Sequence, residues 1–454
     1  MKKLAAAALS FTASLAASCP SLAAGTPLWH AVPPADAVTT WNANAGAAAV
    51  AACISPGGDP LYESRMYAMT HIAIHDALNS IDTRYQRYTY DGAAQPHASA
   101  DAAVAAAARD VLVPVLGLIS APFPANCGQA GQQLVETTYS EALAAIPDGS
   151  AKDAGVALGQ AAAAAILELR AADHSNTPVR VFDYPQGTQP GEWRFTPDRP
   201  FAYRPDWGEV TPFALKDSSQ FLPHPPYQLA SRRYAGDLNE VKRLGGDGIT
   251  TPTDRTADQT EIALFWVESS PLAWNRMART VSASRHLDMW ENGRLFGLLN
   301  MAMADGYIAS WHTKFDVYKF WRPVTAIQLA GTDGNRRTDG DPTWTPLVTT
   351  PPMPDHDSGH SVEGGAAAEV MARFFGTDRI SFQVCSLTLP DAADRCDGTS
   401  TVWRSFRSFS QAADENGLSR ILVGFHFRKA VDAGIQHGRR IADRTVSKFL
   451  QPVR

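Results

Sequence analysis

Apolar residues recur every three to four positions along most of this chain, a spacing that places them on one face of an α-helix. Acidic residues stand near the starts of several of these segments. The predicted helices cover residues 64–81, 100–119, 129–146, 152–171, 227–243, 258–269, 271–287, 295–311 and 361–375, and a long C-terminal helix reaches about residue 450. Strand-like alternation is not evident, so the prediction is an all-α fold.

Two segments, 173–226 and 331–354, interrupt the helical pattern. Proline, glycine, tryptophan and tyrosine accumulate in the first without a period, which is typical of a long loop around a helical core. Long loops in compact enzymes often carry functional residues. The expected architecture is therefore a helical bundle with long connecting loops.

The N-terminus has the form of a secretory signal peptide. Lys2 and Lys3 precede an apolar stretch, and small residues at 21–23 suit cleavage near Ala23. There are two alternatives. The segment could be the first helix of the fold, or it could be a lipoprotein signal that is cleaved before Cys19. We expect residues 1–23 to be the signal peptide, 24–240 an N-terminal helical region with a long loop, and 241–454 a C-terminal helical domain.

Composition and net charge disfavour two classes of binding partner. The chain has 454 residues, 45% of them hydrophobic, and a formal net charge of -6. Neither nucleic acid nor an anionic membrane surface binds such a chain well without a dense basic patch. After the predicted cleavage point no run of 18 apolar residues remains, so no membrane span is expected.

The cysteine content points to an oxidising compartment. Four cysteines follow the predicted signal, an even number that is typical of disulfides in an exported protein. Cys385 with Cys396 is the favoured pair, and Cys53 with Cys127 then follows by elimination. The predicted location is periplasmic or secreted.

Three short segments of the C-terminal third carry the candidate chemistry. The first, KFDVYKFWRP, runs from Lys314 to Pro323 and contains Arg322, which the proline places at a helix boundary. Guanidinium groups match the oxygens of phosphate-like anions. Taken alone, Arg322 also fits a surface arginine beside a helix stop.

The second segment, DSGHS, precedes a predicted helix. Ser358 and Gly359 would form a turn whose backbone N–H groups bind an anion, and His360 could donate a proton to a leaving oxygen. A simple N-cap by Ser358 or Ser361 explains the same pattern.

The third segment, SRILVGFH, contains Arg420 and His426. On a regular helix these residues would lie about 240° apart. They face one site if the helix breaks, as Gly424 permits, or if Arg420 lies before the helix proper. Together the three segments would surround one oxyanion with cations, a Ser-Gly turn and two histidines.

Two histidine pairs at i, i+4 spacing leave a metal site open as an alternative. One pair is His356 with His360, where neighbouring proline and glycine argue against a helix. The other is His71 with His75, on a better helix. Isolated pairs of this kind more often pack or form hydrogen bonds.

The three segments resemble the signature of the vanadium-dependent haloperoxidases and the related acid phosphatases of the phosphatidic acid phosphatase type 2 superfamily. That signature reads Lys-x6-Arg-Pro, then Pro-Ser-Gly-His, then Ser-Arg-x5-His-x3-Asp. The likeness spans residues 295 to about 443, and Trp311 with Lys314 looks like the haloperoxidase form of the first motif. A weaker similarity covers residues 65–79.

The resemblance implies an enzyme that holds vanadate, or phosphate in the same site. His426 would be the vanadium ligand or the nucleophile of a phosphatase, and His360 the acid–base residue. Met353 lies in the stretch that haloperoxidases use to line the halide pocket. The cofactor-binding residues that the resemblance implies are Lys314, Arg322, Ser358, Gly359, Arg420 and His426.

The lysine and the turn depart from this signature. Lys314 lies eight positions before Arg322 instead of seven, which turns it by about 100° on a helix unless a π-bulge absorbs the extra residue. Lys319 is the alternative lysine. Asp357 replaces the proline, which adds a carboxylate beside an anion site unless it points away or pairs.

The third motif departs from the signature at its end. Ala430 stands where the phosphatases have the aspartate that orients the nucleophilic histidine, and Asp432 is two positions late. The loss of this carboxylate disfavours a phosphatase, because a vanadate ligand can be oriented by a backbone carbonyl instead.

The leading hypothesis is an exported haloperoxidase that oxidises halide with hydrogen peroxide at histidine-bound vanadate. One alternative is an acid phosphatase that cleaves a phosphate monoester through phospho-His426. Another is a non-catalytic helical protein that binds an anion or a partner. A homodimer stays open.

Overall fold

The structure, a computed structural model, describes residues 35–119, 121–389, 396 and 402–453. The predicted signal peptide lies outside the described residues. The described part of the chain forms thirteen α-helices and four strands of two or three residues each. The predicted all-α class is therefore confirmed.

The helices fall into three groups along the chain. The first five are α1 (Ala37–Ala51), α2 (Pro60–Ile81), α3 (Ala100–Gly117), α4 (Cys127–Ala144) and α5 (Ser150–Leu169). The middle of the chain forms α6 (Arg232–Leu244), α7 (Ala257–Phe265), α8 (Ser270–Arg285) and α9 (Met289–His312). The last four are α10 (Pro323–Gln328), α11 (Gly359–Phe375), α12 (Phe409–Leu422) and α13 (Arg428–Lys448).

Short elements join the helices. The antiparallel pairs are β1 (Arg180–Val181) with β2 (Ala202–Tyr203) and β3 (Phe382–Val384) with β4 (Arg404–Phe406). Pro205–Glu209 and Ala330–Thr332 are 3-10 turns, and a π-helical turn, Thr313–Tyr318, continues α9. The segments 173–226 and 331–354 are mostly irregular, as predicted.

Capping residues explain why most predicted helices agree with the structure within a few residues. Asp59 accepts a hydrogen bond from the Tyr62 N–H and precedes a proline at the first position of α2. Ser99 caps α3 in the same way. Helix α1 was not predicted, because its alanine-rich sequence buries residues around most of its circumference and shows no clear polar face.

The C-terminal helix of the prediction is two helices in the structure. Helix α12 ends where Gly424 adopts φ +86°, a left-handed conformation that glycine tolerates best. A methyl group there would also contact the Gly245 carbonyl. The chain therefore turns between α12 and α13 instead of continuing.

Helices α2 and α9 pack against each other and connect the N-terminal helices with the C-terminal ones. Helix α9 also contacts α11 and α13. Buried residues from both parts, such as Trp41, Leu112, Phe296 and Phe409, belong to one continuous hydrophobic core. The division of the chain at residue 240 stays a prediction.

Two disulfides join the pairs favoured by the sequence. Cys53–Cys127 ties the loop after α1 to the start of α4, and Cys385–Cys396 links two points after β3. None of the helices in the described ranges is long and apolar enough to cross a membrane.

Helices α11 and α13 approach closely because glycines lie at their contact. A methyl group on Gly438 would overlap the Val362 carbonyl, and one on Gly365 would overlap the backbone of Ile435. The approach brings the backbone N–H of Ser358 to 3.0 Å from the Ala430 carbonyl. The start of α11 is thereby held beside the start of α13.

Gly438→Ala should destabilise the protein, because the new methyl group has no space between α11 and α13. We expect the free energy of unfolding to fall by about 3 kcal/mol. Gly236→Ala is the matched control, because Gly236 lies exposed on α6 with open space around it. This substitution should raise the free energy of unfolding by at most about 1 kcal/mol. Urea denaturation followed by circular dichroism measures both, and equal stabilities would contradict the close contact.

Candidate active site

Six of the predicted site residues line one cavity of about 380 Å³. This volume lies in the range of small-ligand pockets. The six are Lys314, Arg322, Gly359, His360, Arg420 and His426. Ser358 does not line this cavity: it is fully buried at the start of α11, and its Oγ accepts a hydrogen bond from Ser361 Oγ at 2.9 Å.

A π-helical turn sets the register of the lysine. The turn Thr313–Tyr318 absorbs the extra residue before Arg322, as the sequence allowed. Lys314 is 1% exposed and lines the cavity, whereas Lys319 is exposed and does not. Lys314 Nζ donates hydrogen bonds to three backbone carbonyls, those of Pro354 (2.9 Å), Asp355 (3.0 Å) and Asp357.

Three buried cations share this cavity. Burial lowers the pKa of Lys314 to about 7, with Arg322 adding to the shift. Burial also lowers the pKa of Arg322 to about 10 and that of Arg420 to about 9. Each cation has lost hydration that an anion in the cavity would replace.

The hydrogen bonds of the two arginines leave a donor unused. Arg322 Nε donates to the Met353 carbonyl at 2.7 Å, and its Nη1 donates to the Phe425 carbonyl at 2.9 Å. Arg420 Nη1 donates to the Trp266 carbonyl at 2.6 Å. Arg420 Nε is buried and has no partner among the described residues. Such orphaned donors are rare, and this one lies in a residue that lines the cavity.

The break at Gly424 brings Arg420 and His426 to the same cavity. The Arg420 carbonyl accepts hydrogen bonds from the backbone N–H groups of Phe425 (3.0 Å) and His426 (3.1 Å). The chain therefore folds back over the last turn of α12. Of the two possibilities that the sequence left open, the structure has the break at Gly424, with Arg420 in the last turn of α12.

Asp355, a residue that the sequence analysis did not identify, orients His426. Its Oδ1 lies 2.9 Å from His426 Nδ1, and Arg322 Nη1 lies 2.8 Å from His426 Nε2. A carboxylate accepts and a guanidinium donates, so these contacts select an imidazole with hydrogen on Nδ1 and a lone pair on Nε2. Asp432, the alternative in the sequence, is exposed.

Burial opposes charge on both members of this pair. It lowers the pKa of His426 well below the usual 6.5, and the nearby Arg322 acts in the same direction. It also raises the pKa of Asp355 to about 7, although Arg322 and Lys314 oppose the rise. His426 is therefore a neutral imidazole, the form in which Nε2 can attack phosphorus or ligate a metal.

Asp357 points away from the cavity and is paired. Its carboxylate accepts hydrogen bonds from Ser310 Oγ at 2.7 Å and from His437 Nδ1 at 2.8 Å. Burial opposes its ionisation, but the His437 contact, aided by Lys314, holds the pKa of Asp357 at about 2. The replacement of the signature proline thus adds no free carboxylate to the anion site.

His360 lines the cavity from the first turn of α11. Its Nε2 lies 3.2 Å from the Glu268 carbonyl, which accepts a hydrogen bond from it. Burial, followed by the charge of Arg420, lowers the pKa of His360 well below 6.5. An anion beside it would act in the opposite direction and favour the protonated, acidic form.

The other histidines of the metal alternative have structural partners. His71 Nε2 lies 2.7 Å from the Asn42 side chain, and His75 Nε2 lies 3.0 Å from the Gln86 carbonyl. His356 Nε2 contacts the His224 carbonyl at 2.8 Å. No group of three or more His, Cys, Asp and Glu side chains within the described ranges could hold a metal ion.

The tautomer of His426 can be observed directly. In protein labelled with ¹⁵N-histidine, we expect His426 to stay neutral with hydrogen on Nδ1 from pH 8 down to about pH 6, because burial and the cations disfavour its charge. Asp355→Ala should give a mixture of tautomers, while Asp432→Ala should change nothing. Titration of His426 near its usual pKa would contradict the assignment.

Comparisons with known proteins identify relatives of this chain. Residues 294–454 match the family model of the VCPO second helical-bundle domain. The vanadium chloroperoxidase of Curvularia inaequalis is 24% identical, over 82% of this chain and 74% of that protein.

Solved structures extend the likeness to most of the chain. The first bacterial vanadium-dependent iodoperoxidase is 25% identical and superposes with a TM-score of 0.71, covering 91% of this chain and 96% of that one. An apo-type bacterial vanadium-dependent chloroperoxidase shares the fold, with 15% identity, a TM-score of 0.67 and coverage of 86% and 94%. The chain is therefore similar to vanadium haloperoxidases along most of its length, and it is a haloperoxidase-like enzyme.

Proposed function

We propose that this protein oxidises halide with hydrogen peroxide at a vanadate bound in the 380 Å³ cavity. The observation that carries the proposal is the convergence of three buried cations and a neutral imidazole on one cavity. Vanadate, when bound, supplies a Lewis-acid centre that activates hydrogen peroxide.

The residues of the cavity fit a bound oxyanion. Lys314, Arg322 and Arg420 would hold its oxygens, and the unpartnered Nε of Arg420 is a donor that such an oxygen would satisfy. The N-terminus of α11 at Gly359 adds a favourable helix dipole. Ser358 would hold this turn in position, because its N–H donates a hydrogen bond to the Ala430 carbonyl.

His426 would be the ligand of the vanadium. Its Nε2 lone pair is directed at Arg322 Nη1, so binding requires this guanidinium to donate to an oxygen of the anion instead. Asp355 would keep hydrogen on Nδ1 throughout and hold the ring in place, as carboxylates do for histidine ligands.

His360 would act as the acid–base residue, and the loop before α11 would contribute to the halide pocket. Halide oxidation by peroxide consumes one proton, which His360 can supply once an anion beside it favours its protonated form. Met353 lines the cavity and uses its carbonyl to fix Arg322.

A phosphomonoesterase acting through phospho-His426 is the second candidate, and one observation favours it. The sequence argument against a phosphatase was the absence of a carboxylate behind the histidine. Asp355 supplies that carboxylate at 2.9 Å from Nδ1, where it would orient and activate a nucleophile. The geometry of His426 therefore suits either chemistry.

Export is part of the proposal. A signal-like N-terminus precedes a chain in which the four remaining cysteines form two disulfides. Disulfides persist in the periplasm and outside the cell. Hydrogen peroxide and halide would be encountered there.

The two candidate activities separate in one set of assays. Metal-stripped protein should consume peroxide with bromide or iodide only after vanadate is added, and His426→Ala should reduce this activity to background because the ligand is lost. His97→Ala, at an exposed position, should keep full activity. Hydrolysis of p-nitrophenyl phosphate that vanadate inhibits would instead support the phosphatase.

Oxyanion affinity should depend on the charge of Lys314. Because its pKa is lowered to about 7, the lysine loses its proton above that pH, and affinity should fall there by up to about tenfold per pH unit. Tungstate is a suitable probe, since its own charge is constant around neutral pH. Lys314→Met should bind more weakly and with a flat pH profile.

Lys319→Met is the matched control for this titration. The side chain is exposed outside the cavity, so affinity and pH profile should equal those of the wild type. A loss of tungstate binding in Lys319→Met but not in Lys314→Met would reverse the assignment of the lysine.

A further inference from the structure

A second cavity, of about 820 Å³, adjoins the first. The loop before α2 separates them: Gly58 and Pro60 line the first cavity, whereas Asp59 lines the second. Phe123 and Val179 line both. A ligand in the second cavity would therefore adjoin the first cavity, which contains the proposed reaction site.

The wall of this second cavity contains more positive than negative charge. Three arginines, Arg65, Arg170 and Arg204, and two aspartates, Asp59 and Asp173, line it, and each is at most 6% exposed. Arg65 Nε and Arg170 Nε share Asp173 Oδ2, at 2.8 and 3.0 Å. Arg204 Nη2 lies 2.6 Å from Asp59 Oδ2. Three guanidinium groups of the wall thus share two carboxylates, and the buried Asp305 carboxylate outside the wall also acts on Arg170.

Arg65 is the arginine of this wall with an unused hydrogen-bond donor among the described residues. Arg170 and Arg204 also bind backbone carbonyls through Nη1, those of Pro212 and Thr177. Arg65 Nη2 donates to the Arg170 carbonyl at 3.2 Å, but its Nη1 has no acceptor among the described residues. Arg65 therefore has a donor available to an anion in the cavity.

The remaining wall is polar at residues 174–177 and has an apolar part elsewhere. The side chains of the apolar part include Ile54, Met69, Val115, Leu118 and Leu167. Leu118 is 72% exposed and forms part of the rim, where an apolar ligand would cover it. A free guanidinium donor and an apolar part of the wall, in a cavity of this size, match an organic anion of moderate size.

We propose that the second cavity binds an organic acid, a carboxylate on an aromatic body, which accepts the halogen oxidised in the first cavity. The acceptor role rests on the proposed function, whereas the binding does not. Hypohalous acid would transfer its halogen to a ring carbon, forming the carbon–halogen bond, and the displaced ring proton would leave with the hydroxide as water.

Binding is tested on the full chain without vanadate, so it is independent of the proposed activity. By calorimetry, 4-hydroxyphenylacetate should bind at least about tenfold more tightly than its neutral amide, because only the acid pairs with Arg65. Equal affinities for acid and amide, or no binding of the acid, would overturn the proposal.

A charge change at the rim avoids disturbing the buried ion pairs. Leu118→Glu should weaken binding of the acid about three- to tenfold, and Leu118→Lys should strengthen it by a similar factor, with the amide unaffected. Because Leu118 is exposed, both variants should fold as the wild type does. If the affinity for the acid were the same in both variants, the acid would bind elsewhere on the protein.

The acceptor role has its own readout. In this experiment the enzyme receives vanadate, bromide, peroxide and an equal mixture of 4-hydroxyphenylacetate and its amide. The ratio of brominated acid to brominated amide should exceed the ratio that free hypobromite gives without enzyme. Leu118→Glu should remove this preference. A product ratio equal to that of free hypobromite would overturn the acceptor role, while no bromination of either compound would count against the proposed function and leave the calorimetry to decide on binding.

Discussion

The site depends on burying three cations together, although no carboxylate accepts a hydrogen bond from them among the described residues. Their acceptors are mainly backbone carbonyls. Buried charge costs more than a single contact returns, and Lys314 and Arg322 are each held by several acceptors. Backbone carbonyls of the segment before α11, and that of Phe425, fill this role for Lys314 and Arg322. Carbonyls fix the cations without neutralising them, which preserves a positive potential for an oxyanion.

The segment before α11 also supplies two carboxylates, each assigned to one histidine. Asp355 contacts His426 at the cavity, and Asp357 contacts His437 inside the bundle. Two acids separated by one residue thus face opposite ways, and only the first acts on the cavity. An irregular segment suits this task, because its backbone can present carbonyls and side chains to the same cations.

Close packing of helices turns these local features into one site. Glycines let α11 and α13 approach until the start of one meets the start of the other. The turn at Gly424 then reverses the chain so that Arg420 and His426 face the same space. Both the glycine contact and the turn restrict the backbone. They therefore fix the relative positions of segments that are distant in the sequence.

Local patterns in the sequence determined most helices and the motif residues, because periodicity, caps and motif spacing are properties of neighbouring positions. They left two questions open: whether Lys314 or Lys319 lines the site, and whether the helix breaks at Gly424. Only the tertiary structure decided that Asp355 contacts His426, that Asp357 is hydrogen-bonded to His437, and that Ser358 is buried and does not line the cavity. Asp355 and His426 are 71 positions apart, and no spacing rule connects residues whose contact exists only after the helices have packed.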